Sequence, residues 1–187
     1  NNNDNENEPD DLSDPKWLAG CDATSWNSQE CNDGEFDPDD GNGHGTHVAG
    51  IALGTGDSRR VNQGYAPGSY LVDVKVMTDS GGSAGGDEGP IIKGLQWVLQ
   101  NVNTDWGNND SSEGIDIMTM SFGSGSSPVG ENDQGDDGNN SAARLVNNCA
   151  DAGIVPIAAI GNDGTNRVTS VGAADSSITV GAIDDKN

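Results

Sequence analysis

Between Ile91 and Leu99, apolar residues fall at Ile91, Ile92, Leu95, Val98 and Leu99, the spacing of one face of a helix. That pattern predicts a helix over 89–102. A second helical rhythm, over 141–151, places Ala142, Leu145, Val146, Cys149 and Ala150 on its apolar side. A third, from His44 to about Leu53, carries Val48, Ile51 and Ala52 and follows an Asn42-Gly43 turn. Short, continuous apolar runs at 70–77, 115–121, 154–160 and 178–182 read as buried strands, each bounded by polar or glycine-rich turns. Residues 1–41 read as polar loop with a small apolar anchor at Trp17 and Leu18. Strands alternating with helices predict an α/β fold, a parallel sheet with helices on both faces. In such sheets the ligand crevice lies at the carboxyl ends of the strands. Ser121 and Asn162 fall just past two of those ends, which puts both at one cleft.

Composition narrows the function classes. The 187 residues suffice for one domain, yet only 32% are hydrophobic and 28 are glycine, lean for an independent core and consistent with long surface loops. Acidic residues outnumber basic ones 31 to 8, for a net charge of −23. Nucleic acid and anionic membrane are therefore disfavoured as partners, because both demand cationic patches. The carboxylates are dispersed through loops at 37–40, 105–116 and 131–137 rather than gathered in one tail. Such a surface suits solubility in high salt, where self-repulsion is screened; an acidic secreted protein from a low-salt source is the alternative.

The cysteines speak to compartment. Cys21 and Cys31 flank a short polar loop, and their spacing suits a local disulfide in an oxidising environment. Zinc would need more soft ligands than two isolated thiols, and no Cys-Xaa-Xaa-Cys occurs. Cys149, on the apolar side of its helix, reads as a small buried hydrophobe rather than a nucleophile.

His44-Gly45-Thr46-His47-Val48-Ala49-Gly50 carries the chemistry. A histidine is the usual general base for a serine or cysteine, since its pKa of about 6.5 lies near neutral operating pH. Gly45 and Gly50 each cost a helix roughly 1 kcal/mol against alanine, which predicts a close backbone approach at those positions. The string resembles the active-site histidine motif of the subtilisin-like serine proteases, the subtilases. There the first histidine, here His44, is catalytic and the second, here His47, is structural. Two further segments are similar to the same family in the same order. Ile115 to Gly123 looks like the strand whose final Ser121-Phe122-Gly123 lines the pocket for the substrate's primary side chain. Ile154 to Gly164 looks like the strand that delivers the oxyanion-hole asparagine, Asn162.

The resemblance implies a three-layer subtilisin-like fold and an endopeptidase with an Asp-His-Ser triad acting on protein or peptide substrates outside the cell. Gly81, Gly82 and Ser83 look like the strip that binds substrate backbone by adding a strand; as a phosphate loop the stretch lacks the following Gly-Lys-Ser/Thr. No cofactor is required for such chemistry. Structural calcium is implied, with Asp11 at a position that serves as a ligand in some subtilases, though no EF-hand pattern is present. The serine motif, a Gly-Thr-Ser-Met-Ala-like helix start, does not occur, nor does the Asp-Thr/Ser-Gly turn, while Pro9-Asp10-Asp11-Leu12 resembles the string that follows that turn. The chain is thus expected to be one partial catalytic domain, with the aspartate strand upstream and the serine helix downstream, completed by the remaining domain or a propeptide, and inactive alone. The alternative is a non-catalytic subtilase-like module of an acidic extracellular or cell-surface protein. The acidic, dispersed surface resembles that of subtilases from salt-loving archaea.

Overall fold

The computed structural model describes residues 16–24, 40–56, 58–79, 88–107, 114–123, 138–162 and 168–184. The chain divides into two compact units, Asn1–Gly85 and Gly86–Asn187.

In the first unit, β1 (Trp17–Asp22) runs parallel to β2 (Leu71–Lys75), with Gly20 opposite Asp73, Cys21 opposite Val74 and an irregularity between Trp17 and Ala19. The stretch read from sequence as loop with an apolar anchor is therefore a strand. Its buried residues, Ala19, Gly20 and Cys21, are small, so the pattern lacked the Val, Ile and aromatic run by which a strand is recognised. Cys21 is disulfide-bonded. Its expected partner, Cys31, lies outside the described residues.

The helix α1 (His44–Leu53) starts where the turn signal put it, after Gly43 in a left-handed conformation at φ +90°, which glycine adopts without a Cβ penalty. None of its residues is buried, and Ile51 is 54% exposed. The close approach expected at Gly45 and Gly50 is absent among the described residues. A Cβ at Gly50 would meet nothing within 4 Å, and one at Gly45 only the Asp40 carboxylate at ordinary contact, 3.5 Å.

The second unit holds a three-stranded parallel sheet in the order β3 (Ile117–Met120), β4 (Val155–Ala159), β5 (Ile178–Val180). The helices α2 (Gly89–Gln100) and α3 (Ser141–Asp151) pack on each other, and α3 packs on β4. Pro90 opens α2 in the first turn, where a missing N–H costs nothing. Asn140 caps α3 by accepting from the Ala143 amide at 2.7 Å. The core gathers Ile91, Leu95, Trp97 and Val98 of α2, Val146 and Cys149 of α3, and Met118, Met120 and Ala158 from one face of the sheet. The other face carries Ile117, Val155, Ile178 and Val180, all more than 40% exposed. Parallel strands alternating with flanking helices make this the α/β arrangement expected of a subtilisin-like fold. No helix among the described residues is long and apolar enough to cross a membrane.

Candidate active site

His44 is the first residue of α1, and both ends of that helix are held by hydrogen bonds. At the N-terminus, Asp40 accepts four. Its Oδ1 takes the amides of Asn42 (3.1 Å) and Gly43 (2.8 Å), and its Oδ2 takes the amide and hydroxyl of Thr46 (2.8 and 2.7 Å). The Thr46 amide is one of the donors a helix start leaves without an intrahelical partner, so Asp40 caps α1 from outside the helix. Partial burial pushes the Asp40 carboxyl up, but the hydrogen bonds from Thr46, Gly43 and Asn42 outweigh it and hold the group below its usual value. Asn42 Oδ1 accepts from the His44 amide at 3.3 Å.

At the other end, each of the last carbonyls finds a donor. Gly50 O accepts from Gly54 N (3.0 Å), Ile51 O from Tyr65 N (3.2 Å) and Ala52 O from Ala66 N (2.7 Å). Leu53 O accepts from the Lys16 ammonium, which also donates to Pro67 O at 2.9 Å. A cation there also complements the negative end of the helix dipole. The His44 side chain is exposed.

In the second unit a groove of about 380 Å³ lies at the carboxyl ends of β3, β4 and β5. Thr119, Met120 and Ser121 form one wall, residues 157–162 the floor, and Val180, Gly181 and Ala182 the other wall. Ser121 and Asn162 thus line the same groove, at the strand ends where a parallel sheet presents its ligand crevice. Both are exposed, and Phe122 and Gly123, which follow Ser121, are half-buried. Strand periodicity sets this placement. Met118 and Met120 point into the core, so Thr119 and Ser121 face away from it.

β4 stops at Ala159, and Gly161 takes a φ of +114° immediately before Asn162. Residues 14–187 match the description "Subtilase family". The chain belongs to the subtilase family. Among curated subtilases it is 37% identical over 154 residues to Serine protease AprX of Bacillus subtilis, covering 81% of this chain and 32% of that protein. It is 34% identical over 155 residues to Subtilisin DY of Bacillus licheniformis, covering 81% of this chain and 47% of that one. The solved structure of Sphericase superposes with a TM-score of 0.66 at 25% identity, over 96% of this chain and 50% of its own. The chain therefore spans about a third to a half of the length of these relatives.

Of the other residues singled out from sequence, Gly81, Gly82, Ser83 and Asp11 lie outside the described residues. Among the described residues, no group of three or more His, Cys, Asp or Glu side chains gathers where a metal ion could be held. Cys149 is free, and burial pushes its thiol up to about 11, far from a thiolate at neutral pH. Two residues of the site had escaped the sequence. Asp40 was read only as part of an acidic loop, although its place four residues before His44 is within reach of a helix start. Thr169 carried no signal at all, yet it is the residue on which the groove's turns converge.

Proposed function

We propose that the complete protein is a subtilisin-type serine endopeptidase to which this chain contributes the histidine base and the oxyanion donor. The observation that carries this reading is the order and placement of the motifs. His44 heads a helix fixed at both ends, and Ser121 and Asn162 line one groove at the carboxyl ends of parallel strands. In the reaction, His44 takes the proton from a serine outside this chain as that serine attacks the scissile carbonyl. An aspartate, also outside it, orients the imidazole and stabilises its cationic form. The Asn162 amide donates to the developing oxyanion. In subtilisin itself the corresponding donor is known to be worth about 2.7–4 kcal/mol. Ser121, Phe122 and Gly123 border the pocket for the side chain before the cut bond, and Gly81, Gly82 and Ser83 pair with substrate backbone.

Two observations support further parts to the catalytic domain: the share of each relative that is matched, and an apolar sheet face that a parallel sheet ordinarily keeps covered. Cys31 is proposed as the partner of Cys21, and the bridge supports an extracellular location. Calcium is proposed as a structural ligand only. The dispersed negative charge supports work in concentrated salt, which a rise in melting temperature with added potassium chloride would bear out.

The test is hydrolysis of a peptide anilide by the full-length gene product, with covalent labelling by a serine-directed phosphonate. The 187-residue chain alone is expected to give neither turnover nor label. Label on Ser121 of the short chain would overturn the roles assigned here, and an inert full-length protein would identify it as a non-catalytic module.

A further inference from the structure

Three glycines converge on one threonine beneath the groove. A Cβ on Gly123 would fall 2.3 Å from Thr169 Cβ and 2.6 Å from its Cγ2. One on Gly161 would lie 3.2 Å from Cγ2, and one on Gly172 2.8 Å from Oγ1. Backbone just past β3, backbone just past β4 and the turn that Thr169 itself opens therefore all lie against this side chain.

Its polar atoms are engaged as fully as its methyl. The Thr169 amide donates to Ile160 O at 3.1 Å, and its hydroxyl donates to Ala159 O at 2.8 Å. Those are consecutive carbonyls, at the last residue of β4 and the one after it, immediately before Gly161 and Asn162. The same hydroxyl accepts from Gly172 N at 3.1 Å, and Gly172 O in turn accepts from Thr179 of β5 at 2.6 Å. The backbone just past β3 and β4 thus meets at Thr169, and β5 is tied to it through Gly172. Thr169 is not itself on the groove's surface.

We propose that Thr169 is a positioning residue of the active site, whose hydroxyl sets the turn bearing Asn162 and whose methyl sets the turn Ser121–Gly123. The proposal rests on the reading that Asn162 serves the oxyanion and Ser121–Gly123 the primary side-chain pocket. Threonine is the one residue that supplies both halves. Valine keeps the shape but leaves Ala159 O and Gly172 N without their partner, and serine keeps the hydroxyl but leaves space beside Gly123. An oxyanion donor acts only at a narrow range of positions, so loss of the hydroxyl acts on the transition state more than on substrate binding. A vacated methyl beside the pocket wall acts on side-chain preference instead.

The experiment compares wild type, T169V and T169S in the full-length gene product, on anilides whose side chain before the cut bond runs from small to large. T169V is expected to lower kcat about tenfold with KM nearly unchanged, short of the loss from removing Asn162 outright. T169S is expected to keep kcat and shift kcat/KM toward larger side chains by about threefold. Hydrogen exchange supplies a readout independent of turnover. Amides of residues 160–162 should lose protection in T169V and keep it in T169S. A merely structural threonine would lower the melting temperature of both variants while leaving kcat, side-chain preference and this local contrast unmoved, and that result overturns the proposal. An inactive wild type overturns the endopeptidase reading, whereas an active wild type with unchanged T169V and T169S kinetics overturns only the role of Thr169.

Discussion

His44 and Asn162 stand on supports of different kinds. The helix α1 has no buried residue, and what fixes it is polar: Asp40 at its start, and at its end Lys16 and the returning backbone of Tyr65 and Ala66. The turn bearing Asn162 follows a strand with Pro156 and Ala158 buried, and the Thr169 amide and hydroxyl hold its Ile160 and Ala159 carbonyls while the Thr169 methyl lies against Gly161. A helix held by end-capping can shift by losing one bond at a time, and two of the groups that hold it, Asp40 and Lys16, are charged. What lies against the second support is neutral: Thr169 offers it an amide, a hydroxyl and a methyl, none of them charged. His44 thus stands on a support that includes charged side chains, and Asn162 on one whose described contacts are uncharged.

The largest effects are expected where the two supports meet the chemistry. In the full-length protein, His44→Ala should cost several orders of magnitude in kcat, since triad members act as a unit, and Asn162→Ala about 10²–10³-fold. Steady-state kinetics on a peptide anilide reads both, and comparable small losses would mean that neither support carries the reaction. Next comes Gly123→Ala, whose Cβ would fall 2.3 Å from Thr169 Cβ. Backbone must move to admit it, and thermal unfolding should show a loss of about 1–3 kcal/mol, as for overpacked cores. An unchanged midpoint would show that the packed support is looser than its contacts indicate.

Asp40→Ala should cost less, about 1 kcal/mol for a lost helix cap. Its signature is the pH dependence. Because the folded-state carboxyl lies below its usual value, its contribution is complete above the unfolded pKa and disappears as pH falls through the folded one. Stability measured from pH 6 down to about pH 2 should therefore fall less steeply in the variant. Parallel curves would place the cap elsewhere. The smallest effect, and the one of opposite sign, belongs to Gly50→Ala. With nothing within 4 Å of the added Cβ, the helix should gain about 0.5–1 kcal/mol. A loss instead would reveal a neighbour that packs on α1 beyond the described residues.

The strongly periodic elements could be read directly. The helix beginning at His44 starts where its turn signal places it, those beginning at Gly89 and Ser141 where their apolar periodicity begins, and the strands before Ser121 and Asn162 end at Met120 and Ala159. β1 was missed because Ala19, Gly20 and Cys21 look like loop until β2, some fifty residues on, pairs with them. Trp97 was absent from the expected face of α2, yet it is buried, with its ring 6.1 Å from that of Trp106. The periodicity marked a face without marking how wide the burial would be.

Local chemistry, then, was written in the chain. A glycine turn before a histidine, a proline in a first helical turn and an apolar run that stops at Gly161-Asn162 each act over a few residues, and short-range sterics and capping suffice to specify them. What the chain could not state by itself was which distant groups would serve those elements. Lys16 reached Leu53 only because β1 returned beside β2. Thr169 came to lie against Gly123 only when the ends of separate strands were brought together. Such contacts join groups far apart along the chain, so their partners are decided by the fold rather than by any pattern that a window of neighbouring residues can hold.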